Sequence, residues 1–299
     1  MEKLTQPLLH VFIPAYGESP YLKQTLESAV KHIPIDIPIT VIEDQSDCAS
    51  LNRLVEEFPR IDYIKNTSHF GISKNFNQAI ELSKGLYTQI CGSDDLFTKN
   101  PLDVFDSMTS FIPEIAAVSL DVEVINNYGK LINTLPDQVK RLIRPKTNNV
   151  NVFSNNKLFS RLMIGDWLYF PAILWKTEII KKFKFSGGFH TAMDLDLFIR
   201  LLQNDMNIAC AESKILRYRR HDQSASSLYA KSLGRFEEEF KCHKNAIEVA
   251  RDKNWRLGVI LAQVALTVRL HAIMQSFLMV FSSPRSALKV LVKAISPIR

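Results

Sequence analysis

The segment LLHVFIPAYGESPYLKQTLESAVKH, residues 8–32, decides the fold class of this chain. It begins with the continuous apolar run LLHVFI, which is typical of a strand buried on both faces. Pro20 then opens a stretch in which apolar residues, among them Leu22 and Leu26, recur at helical spacing. The segment therefore predicts a buried strand, a loop and an amphipathic helix, in that order.

The same alternation of strand and helix continues to residue 92. Further strands are predicted at residues 39–44, 63–66 and 86–92, and helices at residues 50–58 and 73–82. Four strands separated by helices imply a mainly parallel sheet that is flanked by helices on its faces. The predicted fold class is therefore α/β with a Rossmann-like sheet.

The composition is that of an ordinary globular protein. Of the 299 residues, 46% are hydrophobic and 23% are charged, which is enough for a sizeable core. The formal net charge of +6 is mild, and we interpret it as spread along the chain. No nucleic-acid partner is therefore expected, although a basic surface also attracts phosphates and anionic lipids.

The cysteines and the first residues bear on the compartment. The four cysteines, Cys48, Cys91, Cys210 and Cys242, form neither a CxxC pair nor a metal-ligand spacing. Free thiols in a reducing cytosol explain this pattern best. Residues 1–19 do not resemble a signal peptide, so a cytoplasmic protein is expected.

The remainder of the chain is predicted to contain an irregular part followed by a helical part. A first domain is expected at residues 1–227, with halves of about 1–100 and 101–227, and an all-helical extension at residues 228–299. In the second half we predict a strand at residues 115–126, a polar mobile loop at 134–151, and helices at 155–164, 176–182 and 195–204. Long helices are predicted at residues 229–253 and 255–281, with a short one after Pro284.

The apolar stretch at residues 257–281 leaves three interpretations open. It is long enough to span a bilayer, but Arg269, His271 and Gln275 interrupt it. Packing against the first domain or a second copy is favoured, attachment to a membrane surface comes next, and spanning last. The basic, amphipathic tail SPRSALKVLVKAISPIR favours the membrane surface.

Four polar segments follow the four predicted strands. They are PAYGE at residues 14–18, EDQS at 43–46, the HFG loop at 69–71 with Lys74 and Asn75 behind it, and GSDD at 92–95. In open α/β sheets, ligands bind beyond the carboxyl ends of the strands. Folding should therefore bring these segments together at one edge.

At this point five ordered motifs resemble those of the family 2 glycosyltransferases, which have the GT-A fold. The motifs are VFIPAYGESPYLKQTLESAV, VIEDQS, GISKNFNQAIELSKGLYTQICGSDD, GGFHTAMDLDLFIRL and LRYRRHDQSAS. The resemblance covers about residues 8–227 and rests on the order and spacing of all five, so it is much more specific than any one of them.

The resemblance implies a site for a nucleoside diphosphate sugar and a divalent cation. Asp94 matches the last Asp of the DxD metal motif, and hard oxygen ligands suit Mn²⁺ or Mg²⁺. The implied cation ligands are Asp94, Asp95 and His221, and the implied donor-binding residues are Pro14, Ala15, Tyr16, Glu18, Asp44, Lys74, Ser93, Asp94, Arg219 and Arg220. Gly17 and Gly92 depart from the family pattern, which puts the loop at Gly17 and the first Asp contact of the DxD motif in doubt.

Each of these residues also has a purely structural interpretation. Asp94 and Asp44 could cap the helices that follow them. Lys74 could be a solvated helix lysine, and His221 a structural histidine. Trp167, Tyr169 and Trp175 could stack on an acceptor sugar, but aromatic residues in this number more often belong to the core.

The resemblance also implies a general base. Asp194 matches the Asp of the family's Glu-Asp motif and would accept the proton of the acceptor hydroxyl. Asp196 is the fallback, and the structural interpretation of Asp194 is a helix cap. Met193 stands where the family usually has Glu, which leaves the partner of the base in doubt.

The function implied is an inverting, metal-assisted transfer of a sugar from a nucleotide-diphosphate donor, with a UDP-sugar favoured, to a saccharide or lipid-linked hydroxyl. The setting implied is bacterial polysaccharide assembly, with the protein in the cytoplasm or peripheral on the inner face of the plasma membrane, where its C-terminal helices could contact the membrane or a second copy. The alternatives are an inactive scaffold with the same fold and, less favoured, a nucleotidyltransferase. No GxGxxG follows the first strand, which disfavours a dinucleotide-binding oxidoreductase.

Overall fold

The first four strands form the parallel half of one sheet. The computed structural model describes residues 6–45, 49–106, 115–147, 150–224 and 233–298. The strands are β1 (Leu9–Ala15), β2 (Ile39–Glu43), β3 (Ile61–Lys65) and β4 (Tyr87–Ile90), and they lie parallel in the order β3-β2-β1-β4. β1 and β2 are buried along almost their whole length, as a strand covered on both faces requires. The predicted α/β start of the chain is confirmed.

Three helices connect these strands. They are α1 (Leu22–His32), α2 (Ala49–Glu56) and α3 (Ile72–Leu82). α1 buries Leu22, Leu26 and Ala29, which is the apolar face that the sequence predicts. The connections leave the carboxyl ends of β1, β2 and β4 at one edge of the sheet.

The second half of the sheet is mixed. It contains β5 (Leu96–Phe97), β6 (Ile115–Ile125), β7 (Val150–Val152), β8 (Ile173–Lys176) and β9 (Asn207–Arg219). The full order is β3-β2-β1-β4-β8-β6-β9-β5, with β7 on β9. β8 is antiparallel to both β4 and β6, whereas β6 and β9 pair in parallel. The predicted α/β sheet with flanking helices is therefore confirmed, with parallel and antiparallel pairs in its second half.

The prediction of a mobile loop at residues 134–151 is wrong for the first ten of these residues. After the short helix α4 (Asp103–Asp106), the chain forms α5 (Leu135–Ile143) there. The Thr134 side chain accepts a hydrogen bond from the Asp137 backbone N–H, and a proline stands in the first turn, which together start the helix. The Arg144 guanidinium then donates to the carbonyls of Ser119 and Ala211, which fixes the end of α5 on the sheet.

The remaining helices are α6 (Asn155–Ile164), α7 (Thr177–Phe183), α8 (Met193–Gln203), α9 (Leu233–Asp252), α10 (Arg256–Val264), α11 (Leu266–Met279) and α12 (Pro284–Ile295). The predicted helix at residues 255–281 is two helices, because Ala265 has a left-handed φ of 44°. The predicted start of the preceding helix, residues 229–232, lies outside the described residues, as does Cys48.

The segment Arg256–Met279 has the length and apolar composition of a membrane span, and an 18-residue stretch within it has a mean hydropathy of 1.8. However, its first part is packed on the sheet domain. A Cβ on Gly258 would lie 2.9 Å from the Phe159 ring of α6, and the Thr267 hydroxyl donates to the Ile164 carbonyl. The segment is therefore part of the folded body by its contacts.

Candidate active site

The loop after β4 meets the end of β9 at the predicted cation site. Asp94 Oδ2 lies 2.7 Å from His221 Nε2, across 127 positions of sequence. Both side chains are largely but not fully buried, with 23% of Asp94 and 11% of His221 exposed. Two of the three predicted cation ligands are thus in direct contact.

Gly92 explains how this loop can fold so tightly. A Cβ at this position would lie 2.5 Å from Asp94 Oδ1 and 2.8 Å from Asp95 Oδ2. Such distances are too short for any side chain, so the loop in this conformation needs glycine. The departure from the DxD pattern therefore goes with close packing of the two carboxylates.

Asp95 points inward. Only 1% of the residue is exposed, and its Oδ1 accepts a hydrogen bond from the Arg219 backbone N–H at 2.9 Å. Burial, and next the neighbouring Asp94, raise the pKa of Asp95 well above its usual value. Asp95 ties the β4 loop to β9, and its predicted role as a cation ligand stays a prediction with weaker geometric support than that of Asp94.

Arg219 is part of the frame under the site. Its guanidinium donates to the backbone carbonyls of Asp94, Asn126 and Asn127 and to the Gln24 side chain. The residue is 2% exposed, so its donors face the protein rather than a diphosphate. This geometry favours a positioning role over the predicted donor contact.

Tyr21 is a site residue that the sequence reasoning missed. Its ring lies 4.8 Å from the His221 ring and 4.4 Å from the Arg219 guanidinium. The signal for it was an aromatic residue directly after Pro20, in the loop predicted to line the nucleotide pocket.

Arg220 forms a second buried pair next to the site. It donates through Nε and Nη2 to the Asp137 carboxylate, which also accepts from the Tyr169 hydroxyl at 2.9 Å. Burial alone would raise the pKa of Asp137, but the hydrogen bonds from Arg220, Thr134 and Tyr169 lower it. Arg220 is therefore held by α5, and its predicted contact with the diphosphate lacks support from this arrangement.

The loops of β1 and β2 form the other side of the edge. Asp44 is buried and accepts hydrogen bonds from the backbone N–H groups of Phe70 at 2.7 Å and Gly71 at 2.9 Å, while His69 Nδ1 lies 2.9 Å away. Tyr16 is exposed, with its ring 5.1 Å from that of His69. Asp44 thus shapes the loop before α3, and the exposed ring of Tyr16 lies beside that loop.

The other predicted donor residues surround these loops. Pro14 and Ala15 end β1, Lys74 is exposed in the first turn of α3, and the Ser93 carbonyl lies 3.5 Å from the Ser19 hydroxyl. Glu18 accepts a hydrogen bond from the Ser50 hydroxyl at 2.8 Å. The predicted donor segments therefore lie on the same edge as Asp94, and their roles stay predictions.

Asp194 occupies the second position of α8 and is 6% exposed. Burial, and next the charge of Asp166, raise the pKa of Asp194 to about 7, while Lys140 acts in the opposite direction. Lys140 lies 3.9 Å from Asp166 and 4.9 Å from the Tyr169 ring. A carboxylate with a pKa near neutrality can both take up and release a proton at physiological pH.

Asp196, the fallback base, has structural partners. It accepts hydrogen bonds from the Ser186 hydroxyl at 2.7 Å and the Arg200 guanidinium at 2.9 Å. Arg200 in turn donates to the carbonyls of Phe183 and Lys184. These bonds fasten α8 to the loop after α7, which favours Asp194 as the base.

Glu238, on α9, caps the helix that carries Asp194. Its carboxylate accepts hydrogen bonds from the backbone N–H groups of His190, Thr191 and Ala192, at 2.8 to 3.3 Å. Ala192, the N-cap residue of α8, has no side-chain cap of its own, and the Glu238 carboxylate satisfies its N–H together with those of the two residues that lead into the helix. Nothing in the local sequence signals this contact.

We expect Glu238→Ala to destabilise the fold by about 1–3 kcal/mol, because it leaves several partly buried N–H groups without an acceptor. The pKa of Glu238 is lowered, since the hydrogen bonds from Thr191 and His190 outweigh burial. Its stabilising effect should therefore be present above the ordinary pKa of 4.5 and be lost as the pH falls. Thermal unfolding at several pH values measures this effect.

Glu237→Ala is the matched control, because Glu237 is 67% exposed and its ion pair with Lys293 is long, at 3.9 Å. We expect that variant to change stability by less than about 0.5 kcal/mol. Equal effects of the two substitutions would refute the capping role of Glu238.

The Asp94–His221 pair fits a divalent cation. Neighbouring ligands of an octahedral ion with bonds of about 2.1 Å lie about 3 Å apart, close to the distance here. His221 Nδ1 is buried without a hydrogen-bond partner in the described part of the chain, so the contact with Asp94 orients the ring. Within the same residues no group of three or more His, Cys, Asp or Glu could hold a metal ion, so a cation would take further ligands from diphosphate oxygens and water.

The chain is similar to known proteins in sequence and in fold. Residues 10–159 match the model of glycosyl transferase family 2. Chondroitin synthase of Escherichia coli is 26% identical over 200 residues, which is 65% of this chain and 26% of that protein. The chain thus spans about a quarter of the length of this relative.

Two solved structures have a similar fold. The mannosyltransferase PcManGT from Pyrobaculum calidifontis, in complex with GDP-Man and Mn²⁺, has a TM-score of 0.63 at 14% identity, over 96% of this chain and 79% of that one. TarS 1–349 of S. aureus, in complex with UDP-GlcNAc, has a TM-score of 0.60 at 14% identity, over 96% and 90%. At this identity the likeness concerns the fold.

Proposed function

Because this chain belongs to glycosyl transferase family 2 and has the α/β fold of GT-A enzymes, we propose that it is an inverting glycosyltransferase that uses a nucleoside diphosphate sugar. The observation that carries this proposal is the Asp94–His221 contact at the carboxyl edge of the sheet. The family and the contact are independent of each other, since one rests on sequence and the other on geometry.

The proposed donor site lies between the loops of β1, β2 and β4. The exposed Tyr16 and the backbone of Pro14 and Ala15 would form a wall for the nucleoside. Asp44, Glu18 and Ser93 would shape the nucleoside pocket, and Lys74, exposed at the start of α3, would face the diphosphate. We favour a UDP-sugar, the donor class of the TarS complex, although the PcManGT complex holds GDP-Man on a similar fold.

A divalent cation, Mn²⁺ or Mg²⁺, would supply Lewis-acid stabilisation of the departing diphosphate. Asp94 and His221 would hold it, and Asp95 would keep the loop in place from below. Tyr21 and Arg219 would orient the His221 ring and the Asp94 backbone.

Asp194 would accept the proton of the acceptor hydroxyl as that oxygen attacks the anomeric carbon. Its pKa of about 7 suits a general base near neutral pH. A single displacement by this route inverts the anomeric carbon, because the hydroxyl attacks opposite the leaving diphosphate. The acceptor is proposed to be a saccharide or lipid-linked sugar in bacterial polysaccharide assembly, on the cytoplasmic side of the membrane.

The test is a panel of nucleotide sugars with the purified full chain. We expect one UDP-sugar to raise the unfolding temperature in the presence of Mn²⁺ and to release UDP slowly, because a ligand that binds the folded state stabilises it. Chelation should abolish both effects, and added Mg²⁺ or Mn²⁺ should restore them.

The GDP-sugars in the panel test which nucleoside the site prefers, separately from whether the protein transfers a sugar. Stabilisation by GDP-sugars alone would overturn the UDP assignment and keep the transferase. Binding without any nucleotide release, with every acceptor offered, would support the inactive scaffold instead.

A further inference from the structure

The net positive charge of the chain is concentrated at one end. Seven of the 37 Lys and Arg residues and none of the 31 Asp and Glu residues follow Asp252. The first 252 residues are therefore close to neutral, and the expectation of a charge spread along the chain is wrong. The excess charge falls on the helices α10, α11 and α12.

The segment that contains these three helices also carries most of the exposed large apolar side chains in the described residues. Of the 22 such side chains in the described residues, 13 lie between Leu257 and Ile295. On α11 they recur about one helical turn apart, at Leu266, Leu270, Met274 and Phe277. A stripe of this kind is not expected on a surface that faces only water.

α12 shows how charge and apolar surface are combined. Its buried face is formed by Ala287, Val290 and Ala294. Its outer face has one apolar stripe and one basic stripe, which are Leu288, Val292 and Ile295 beside Arg285, Lys289 and Lys293. Lys293 lies 3.9 Å from Glu237 of α9, the acidic residue near this face. An apolar stripe flanked by cations is the pattern of a helix that lies in a membrane interface.

The packing of these helices favours lying on a membrane over crossing it. α11 and α12 form an antiparallel hairpin, in which Ser276 donates to the Ala287 carbonyl and Arg269 to the Ala294 carbonyl. α10 is held on α6 through Gly258 and Phe159. Ala265 interrupts the apolar segment Arg256–Met279, so this segment could span a bilayer only if these contacts were broken.

We propose that the outer face of α10–α12 docks on an anionic phospholipid surface. The apolar stripes would enter the boundary between head groups and acyl chains, while Arg285, Lys289 and their neighbours contact lipid phosphates. A second copy of this chain fits the face less well, because it would bring together two segments that each have seven Lys and Arg residues and no Asp or Glu after Asp252. This docking does not depend on the proposed sugar transfer.

The experiment is sedimentation of the full chain with vesicles of phosphatidylcholine, with and without phosphatidylglycerol. We expect binding to the mixed vesicles, little binding to phosphatidylcholine alone, and weaker binding at high salt. The double variant Arg285→Glu/Lys289→Glu should lower the partition coefficient at least about tenfold. The charge-matched control Lys99→Glu/Lys130→Glu, on exposed residues elsewhere, should lower it much less.

A second variant tests the apolar contact. Phe281→Ser removes a ring that is 96% exposed just after α11, so it should weaken vesicle binding while leaving thermal unfolding unchanged. Tyr128→Ser, at an equally accessible site away from these helices, should leave binding unchanged. If Arg285→Glu/Lys289→Glu fails to fold, Phe281→Ser still decides the question.

Three results would overturn the proposal. One is the absence of binding to anionic vesicles. Another is a dimer in solution that the Phe281→Ser change dissociates while vesicle binding stays absent, which would make a second copy the occupant. The last is vesicle-bound protein that alkaline extraction cannot release, which would mean a spanning segment.

Discussion

Asp194→Asn is expected to lower the rate of sugar transfer by about 10²–10⁴-fold, the range for loss of a general base. Asparagine has nearly the shape of aspartate and can still accept the Leu195 N–H bond, which is 2.9 Å long in the parent. Donor binding should therefore persist, and the loss should appear in turnover rather than in the affinity for the nucleotide sugar. Turnover and donor titration on the same sample separate the two.

The pH dependence gives a second check on Asp194. Since burial raises its pKa to about 7, the carboxylate form needed for catalysis gains population as the pH rises through that value. We expect the transfer rate of the parent to rise over the same range, and the residual rate of Asp194→Asn to lack this step.

The stability of the folded protein should fall as the pH rises, whereas the transfer rate should increase. A carboxyl group whose pKa is raised by folding stabilises the folded state fully below its unfolded value, and this effect is lost as the pH rises through about 7. Asp194→Asn cannot ionise, so its unfolding temperature should fall less than that of the parent as the pH rises from the ordinary pKa of 3.8 to about 7. Asp196→Asn is the control, because it breaks structural bonds and should cost stability more than turnover. Near-normal turnover of Asp194→Asn would remove Asp194 from the mechanism.

Asp94→Asn is expected to lower metal-dependent transfer by about 10²–10³-fold, the scale seen when one group that stabilises transition-state charge is removed. The neutral amide is a poor ligand for Mn²⁺ or Mg²⁺, and it leaves His221 with a weaker partner. The variant should need more Mn²⁺ for the same rate, and the stabilisation by Mn²⁺ plus nucleotide sugar should shrink.

Asp95→Asn, one residue away, is the matched control for Asp94→Asn. Asp95 is buried with a raised pKa and accepts the Arg219 N–H, and asparagine can accept the same bond. We expect a loss of less than about tenfold in rate and no shift in the Mn²⁺ requirement. Equal losses in both variants would mean that the two carboxylates share the cation.

The sequence predicted the first half of the molecule well because that half is built from local patterns. β1 and β2 are largely apolar runs of ordinary length, and α1 and α3 each bury apolar side chains on one face. The end of β4 and the position of Asp94 at the sheet edge follow from these patterns alone.

The second half resisted prediction where structure depends on distant contacts. β8 is only four residues long and is followed directly by α7. Its end at Lys176 is therefore predicted as the start of that helix. The polar sequence of α5 predicts a loop. The helix is held by hydrogen bonds to the carbonyls of Ser119, Leu168 and Ala211, which belong to other parts of the chain. A cap like that of Thr134 was visible in the sequence and could have signalled this helix.

The candidate site is likewise predictable from local patterns only in part. Motif order placed Asp94, Asp194 and His221 in one site by family resemblance, but it could not tell which side chains face inward. Arg219 and Arg220 are typical diphosphate ligands in isolation, yet a set of carbonyls holds Arg219 inside the protein and the buried Asp137 pairs with Arg220. Glu238 acts on α8 from across the fold, a relation that no local spacing records.

The 127 positions between Asp94 and His221 also constrain how the protein is made. During synthesis β1, β2 and β3 can pair as soon as they leave the ribosome, since each pairs with its neighbour in sequence. The GSDD loop, by contrast, keeps two crowded carboxylates without partners until β9 has been translated, and α8 stays uncapped until Glu238 follows. The nascent chain therefore completes its helical core and its cation site late, and the slow step of folding belongs to these long-range closures.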